Sequence, residues 1–136
     1  MMSIKDETEI RNLVARLAIQ ADGDDIDQYI ALFTEDAEWR MWLPDGETRS
    51  VGQADIKAAA LQRRAAGVQG AGSHTRHAIT TLAIEVHGAT ATGRCYMLVL
   101  KNADATPVVS GMVVYDDHYR KTPEGWRLAS RRITPG

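Results

Sequence analysis

The chain has 136 residues, 44% apolar and 25% charged, the composition of an ordinary globular domain. That excludes a disordered or collagen-like chain, and the length suffices to bury a core without disulfide or metal staples. With 16 basic and 18 acidic residues the formal net charge is −2, which leaves no basic surplus for nucleic acid.

Cys95 stands alone, so no internal disulfide can form and a reducing compartment is expected. The opening Met1-Met2-Ser3-Ile4-Lys5-Asp6-Glu7 is charged at once and lacks the apolar centre of a leader. The longest apolar runs, such as Met97-Leu98-Val99-Leu100, fall far short of the ~20 residues of a bilayer span. These features predict one cytoplasmic domain over residues 1–136, without a membrane partner.

Ile10, Leu13, Val14, Leu17, Ala18 and Ala21 recur at helical spacing and predict an N-terminal helix. Ser3 with Asp6 resembles a capping pair, and Gly23 is a stop. Asp24 or Asp25 would cap a short second helix with Ile26, Tyr29, Ile30 and Phe33 inward. Asp22 then sits at the junction of the two helices. Residues 37–43 read as an aromatic-rich strand, Pro44-Asp45-Gly46 as a turn and residues 48–51 as a return strand. Beyond Gly52 a third helix is predicted over residues 53–66, with Ile56, Ala59, Ala60 and Arg63 on one face. Residues 67–72 hold three glycines and form a loop, which could serve as a flap. The loop lacks the Gly-Lys-Ser/Thr ending of a phosphate loop.

From there the period changes to alternation. Strands are predicted over residues 77–86, 89–101, 108–119 and 126–133, with short connections that imply an antiparallel meander. Helices first and strands later give an α+β fold, and a curved sheet against helices can enclose an apolar cavity for a small molecule.

Several strings carry a resemblance. They are Glu9-Ile10-Arg11-Asn12-Leu13, Ala21-Asp22-Gly23-Asp24 and Leu32-Phe33-Thr34-Glu35-Asp36-Ala37-Glu38-Trp39. Later come Gly52 before a helix, Arg76-His77 opening a strand, Ala89-Thr90-Ala91, and Gly125-Trp126-Arg127-Leu128. In these the chain resembles the SnoaL-like group of the nuclear transport factor 2-like superfamily, over nearly its whole length. The resemblance implies a cone-shaped barrel of three N-terminal helices on a strongly curved, mostly antiparallel sheet. Within that superfamily the chain looks most like scytalone dehydratase and hexachlorocyclohexane dehydrochlorinase, which use a His–Asp dyad without a cofactor. The resemblance puts the dyad on Asp22 and His77 and a pocket arginine on Arg131. It also shows a departure: the dehydrochlorinase's pocket lysine falls on Leu17.

A histidine can take a proton near neutrality, and a carboxylate on one ring nitrogen fixes its tautomer and stabilises the imidazolium. His77 with Asp22 therefore suits abstraction of a proton from carbon. The plain alternative is a polar helix end and an ordinary strand histidine. Arg131 would stabilise an oxyanion or departing anion, or else pair with Asp116 or Asp117 on the adjacent strand. Tyr29, Trp39, Met112 and Tyr115 are candidate substrate contacts, with His74 at the pocket mouth and His118 as a second cavity histidine. The alternation of His118 with Met112, Val114 and Asp116 argues for a non-cavity position. No metal site is expected, because His74 and His77 are three apart on a strand and no His-Glu-x-x-His string exists. Cys95 reads as a small buried residue.

The expected activity is that of a cofactor-independent lyase, a dehydratase or dehydrohalogenase, acting on a small hydrophobic cyclic substrate. An isomerase or polyketide cyclase of the same fold, and a noncatalytic binding or assembly module, are the alternatives. The resemblance also implies a homo-oligomer, dimer or trimer, and the apolar alternation of the long strands agrees with that.

Overall fold

The computed structural model describes residues 3–136. Met1 and Met2, which open the charged N-terminal string, lie outside the described residues. Helix α1 spans Ile4–Asp22. It begins where Ser3 Oγ accepts the Asp6 N–H at 3.3 Å, and Asp6 and Glu7 sit favourably at the positive end of its dipole. Its buried stripe is Ile10, Leu13, Val14, Leu17 and Ala21, in which the four larger side chains each contribute about 1.5–3 kcal/mol. Helix α2, Ile26–Ile30, is capped by Asp25, whose Oδ1 accepts the N–H groups of Asp27 and Gln28. Phe33 opens the first strand instead of extending the inner face of α2.

Strand β1 is Phe33–Leu43, longer at its start than the pattern predicts, and β2 is Gly46–Val51. The two form an antiparallel hairpin. Helix α3 is Gln53–Ala65, entered through Gly52 at a φ of 87°, a conformation that favours glycine. Then follow β3 (Arg76–His87), β4 (Thr90–Lys101), β5 (Val108–Thr122) and β6 (Gly125–Pro135), an antiparallel meander. The first and last strands meet in parallel, with Phe33 opposite Leu128 and Trp39 opposite Arg131. The result is one six-stranded, mostly antiparallel sheet in the order β2-β1-β6-β5-β4-β3, an α+β fold with three helices.

This corrects the expectation of a barrel. Among the described residues the sheet is open, with β2 and β3 at its two edges and no ladder between them. A barrel buries its interior by closing a ladder; here helices do that work. The α1 stripe, together with Tyr29, Ile30, Ile56 and Ala60, packs with Phe33, Trp39, Met97, Tyr115 and Leu128 of the sheet into one core. Tyr29 and Phe33 meet edge to face with ring centroids 5.1 Å apart. Asp6 ties the start of α1 to the far end of the meander, accepting from Trp126 Nε1 at 2.9 Å and Lys121 Nζ at 3.0 Å. No helix among the described residues is long and apolar enough to cross a membrane.

Candidate functional site

Between α1, α2 and the sheet lies a cavity of about 350 Å³. Leu17 and Ala21 of α1, Tyr29 of α2, Met41 of β1 and Val99 of β4 give it a mostly apolar wall. Polar groups reach it from different elements, among them Arg63 from α3, His77 from β3, Tyr115 from β5 and Arg131 from β6. Few polar groups in an apolar hollow is the usual constitution of a small-molecule site.

Asp22 is the last residue of α1 and His77 the second of β3. The apolar stripe of α1 carries its end to the start of β3. There the Asp22 carboxylate accepts the His77 backbone N–H through Oδ2 at 3.0 Å. Its other oxygen, Oδ1, lies 2.6 Å from His77 Nδ1. The side chains are only 10% and 15% exposed. In the neutral tautomer that donates Nδ1–H to this carboxylate, the lone pair is on Nε2. Among the described residues, Nε2 has no hydrogen-bond partner.

Arg131 and Asp117 form a second buried group. Arg131 Nε and Nη2 donate to the two Asp117 oxygens at 2.8 and 2.9 Å, and the Tyr119 hydroxyl donates to Asp117 at 2.8 Å. The guanidinium carbon stands 3.9 Å from the centre of the Tyr115 ring and 5.8 Å from that of Trp39. Burial alone would lower the Arg131 pKa, but the Asp117 carboxylate outweighs it and holds the guanidinium charged. The ion pair forms with Asp117; Asp116 instead approaches Arg94 at 3.6 Å. Arg131 still lines the cavity.

Burial raises the pKa of Tyr29 and of Tyr115, so both phenols stay protonated. These two, with Trp39 and Met112, line the cavity alongside His77. Leu17 is buried in the same wall.

Two expected contacts are corrected. His118 alternates with the inward Asp117 and Tyr119 on β5, so it is exposed on the opposite face of the sheet, beside Arg94 and Asp116. His74 has a φ of 55°, which turns the chain before β3, and its ring is 54% exposed and 3.5 Å from Asp104. It is not part of the cavity wall. Among the described residues, no three His, Cys, Asp or Glu side chains cluster as metal ligands would.

Arg63 and Gln69 are polar wall residues that the sequence does not single out as candidates. Arg63 of α3 lines the cavity, with its guanidinium carbon 5.6 Å from the Trp39 ring centre. Its Nε donates to Gln69 Oε1 at 2.9 Å. Gln69 is buried and reaches the Ala21 carbonyl at 3.4 Å, while the Ala71 N–H donates to the Gly23 carbonyl. The glycine-rich loop is thus docked on the end of α1. A signal was present: a charged residue on the apolar face of α3.

Residues 2–132 match the family of the SnoaL-like domain. A solved NTF2-like protein with a cystatin-like fold from Novosphingobium aromaticivorans is 29% identical, with a TM-score of 0.81 over 97% of this chain and 82% of that one. A second protein of that organism, named as a candidate aromatic ring hydroxylase, is 27% identical, with a TM-score of 0.81 over 99% and 92%. ActVI-ORFA of Streptomyces coelicolor, at 24% identity, a TM-score of 0.76 and coverage of 95% and 96%, shares the fold. No functionally curated protein matches the chain.

Proposed function

The chain belongs to the SnoaL-like family, and on that premise we propose that it is a cofactor-independent lyase in which His77, oriented by Asp22, removes a proton from carbon on a small hydrophobic cyclic substrate. The supporting observation is the 2.6 Å contact between His77 Nδ1 and Asp22 Oδ1 in the wall of an apolar cavity.

The C–H bond breaks and its proton moves to His77 Nε2. The electron pair passes into the adjoining carbonyl or ring, giving an oxyanion. It returns to form a carbon–carbon double bond as a group leaves the neighbouring carbon with its bonding pair. A leaving hydroxide takes the proton back from His77 and departs as water, which restores the dyad. Leu17 stands where the resemblance to the dehydrochlorinase would put a lysine, so the wall has no cation there to receive a bare halide. This favours dehydration over loss of halide. Positioned acid–base catalysis of this kind gives about 10²–10⁴-fold per group.

The test uses 5-nitrobenzisoxazole, a neutral planar ring. Loss of its ring C–H proton to a base breaks the N–O bond and yields a coloured nitrophenolate. The wild-type protein is expected to accelerate this elimination, and His77→Ala to lose about 10²-fold or more of the rate. A His77→Ala protein that turns the probe over at the wild-type rate would reject the base. An isomerase shares the first step and returns the proton to another carbon; with a true substrate, conserved product mass would identify it.

A further inference from the structure

Proton transfer to His77 creates two charges. The positive one, on the imidazole, is matched by Asp22. The negative one, on the substrate, needs a partner of its own. Arg131 is the partner expected by resemblance, but Asp117 already takes two of its N–H groups and matches its charge.

The other cation of the cavity wall is Arg63. Its hydrogen-bond partner is neutral, the Gln69 side-chain oxygen. Among the described residues no carboxylate pairs with it. Trp39, on whose ring both arginines lie, is also neutral. The Tyr29 side chain belongs to the same wall and is only 2% exposed. Its hydroxyl makes no hydrogen bond to another described residue, and the residue lines the cavity. Burial pushes the pKa of this hydroxyl up, and the positive charges of Arg131, then Arg63, then Arg64 oppose it; of the two cavity-wall arginines among these, Arg131 and Arg63, only Arg63 has no carboxylate partner among the described residues. A residue whose cation lacks a carboxylate partner and a residue whose hydroxyl lacks an acceptor line one hollow together with an indole ring.

We propose that Arg63 and the Tyr29 hydroxyl form an oxyanion subsite, and that the ligand is a planar ring carrying an ionisable or enolisable oxygen, of the phenolate or enolate class. The proposal rests on the reading of His77 as the base, since that reading says where the negative charge arises. It assigns Arg63, and not Arg131, to the developing charge. Donors aimed at such a charge in a water-poor site are among the largest contributors to catalysis.

The experiment compares 4-nitrophenolate with nitrobenzene, its near-isostere without the oxygen, by equilibrium binding and by the absorbance of the bound phenol. The wild-type protein is expected to bind 4-nitrophenolate about tenfold or more tighter than nitrobenzene, as a charge-assisted hydrogen bond allows, with the bound form absorbing as phenolate. Arg63→Gln should lose most of that preference, with the loss falling on 4-nitrophenolate and not on nitrobenzene. Tyr29→Phe, which keeps the ring and its packing, should lose severalfold. Equal affinity of the wild type for the two ligands, or a preference unchanged in both variants, overturns the subsite. His77→Ala is expected to keep the preference while losing the elimination of 5-nitrobenzisoxazole. Retained elimination in that variant rejects the base alone, so the two readings fail separately.

Discussion

Asp117 holds Arg131 by two parallel hydrogen bonds of 2.8 and 2.9 Å, with both side chains almost completely buried. The pair joins two neighbouring strands directly across their register, because Asp117 faces Arg131 on β5 and β6. Arg131 in turn lies against the rings of Tyr115 and Trp39 in the cavity wall. Removing one partner leaves the other charged and buried. Asp117→Ala is therefore expected to cost about 3–5 kcal/mol of stability, measured by urea unfolding. The double variant Asp117→Leu with Arg131→Met, which removes both charges, should recover most of that loss. A double variant as unstable as Asp117→Ala would show that the loss comes from packing.

Gly93 lies opposite Asp117 on β4. A Cβ there would stand 2.8 Å from the Tyr119 hydroxyl oxygen and 2.9 Å from its ring. Tyr119 is buried and hydrogen-bonded to Asp117, so its ring has nowhere to go. Gly93→Ala is expected to lose about 1–3 kcal/mol by overpacking, read from the shift in urea midpoint. The combination with Tyr119→Phe should not relieve it, because the ring carbon clashes as well.

Hydrogen bonds from Trp126 and then Lys121 hold the Asp6 carboxyl below its ordinary pKa. A depressed folded-state pKa contributes stability above the ordinary carboxylate range, and that contribution is lost as pH falls through the folded value. Asp6→Asn should therefore flatten the acid limb of the stability profile below about pH 4. Urea midpoints of both proteins across pH 2–7 check this; parallel limbs would show that the tie has no linkage to folding.

At alkaline pH the sign reverses. Burial, and then the charge of Asp117, push the Cys95 thiol from 9.0 up to about 11. Between those values the folded chain binds more protons than the unfolded one, so stability falls as pH rises. Cys95→Ala should shallow that fall, with the buried tyrosines leaving a residual slope. In the native protein Cys95 is also expected to resist a disulfide reagent at pH 8 and to react once urea unfolds the chain. Rapid native labelling would contradict its burial.

Local patterns were enough to read most elements. The α1 stripe, the Asp25 cap and the four alternating strands follow from periodicities of 3.6 and 2, which depend on neighbours in the chain. The pattern places the start of β1 four residues late because Phe33 also fits the inner face of a helix. Asp22 and His77 were legible as candidates only through a resemblance, since nothing local says that residues 55 apart will touch. The choice between Asp116 and Asp117 depended on register, because a shift of one residue turns a strand's side chains to the other face. The same alternation put His118 outside the cavity.

The amino-acid order by itself determined the inventory: an apolar helix face, a meander of long strands, a lone thiol and a few ionisable groups near element ends. Three-dimensional packing decided which of those groups meet. It laid β1 parallel to β6, left the sheet open, took the charge of Arg131 for Asp117 and turned Arg63 toward the hollow. Such pairings rest on contacts between distant segments, whose energies exist only once the chain has folded.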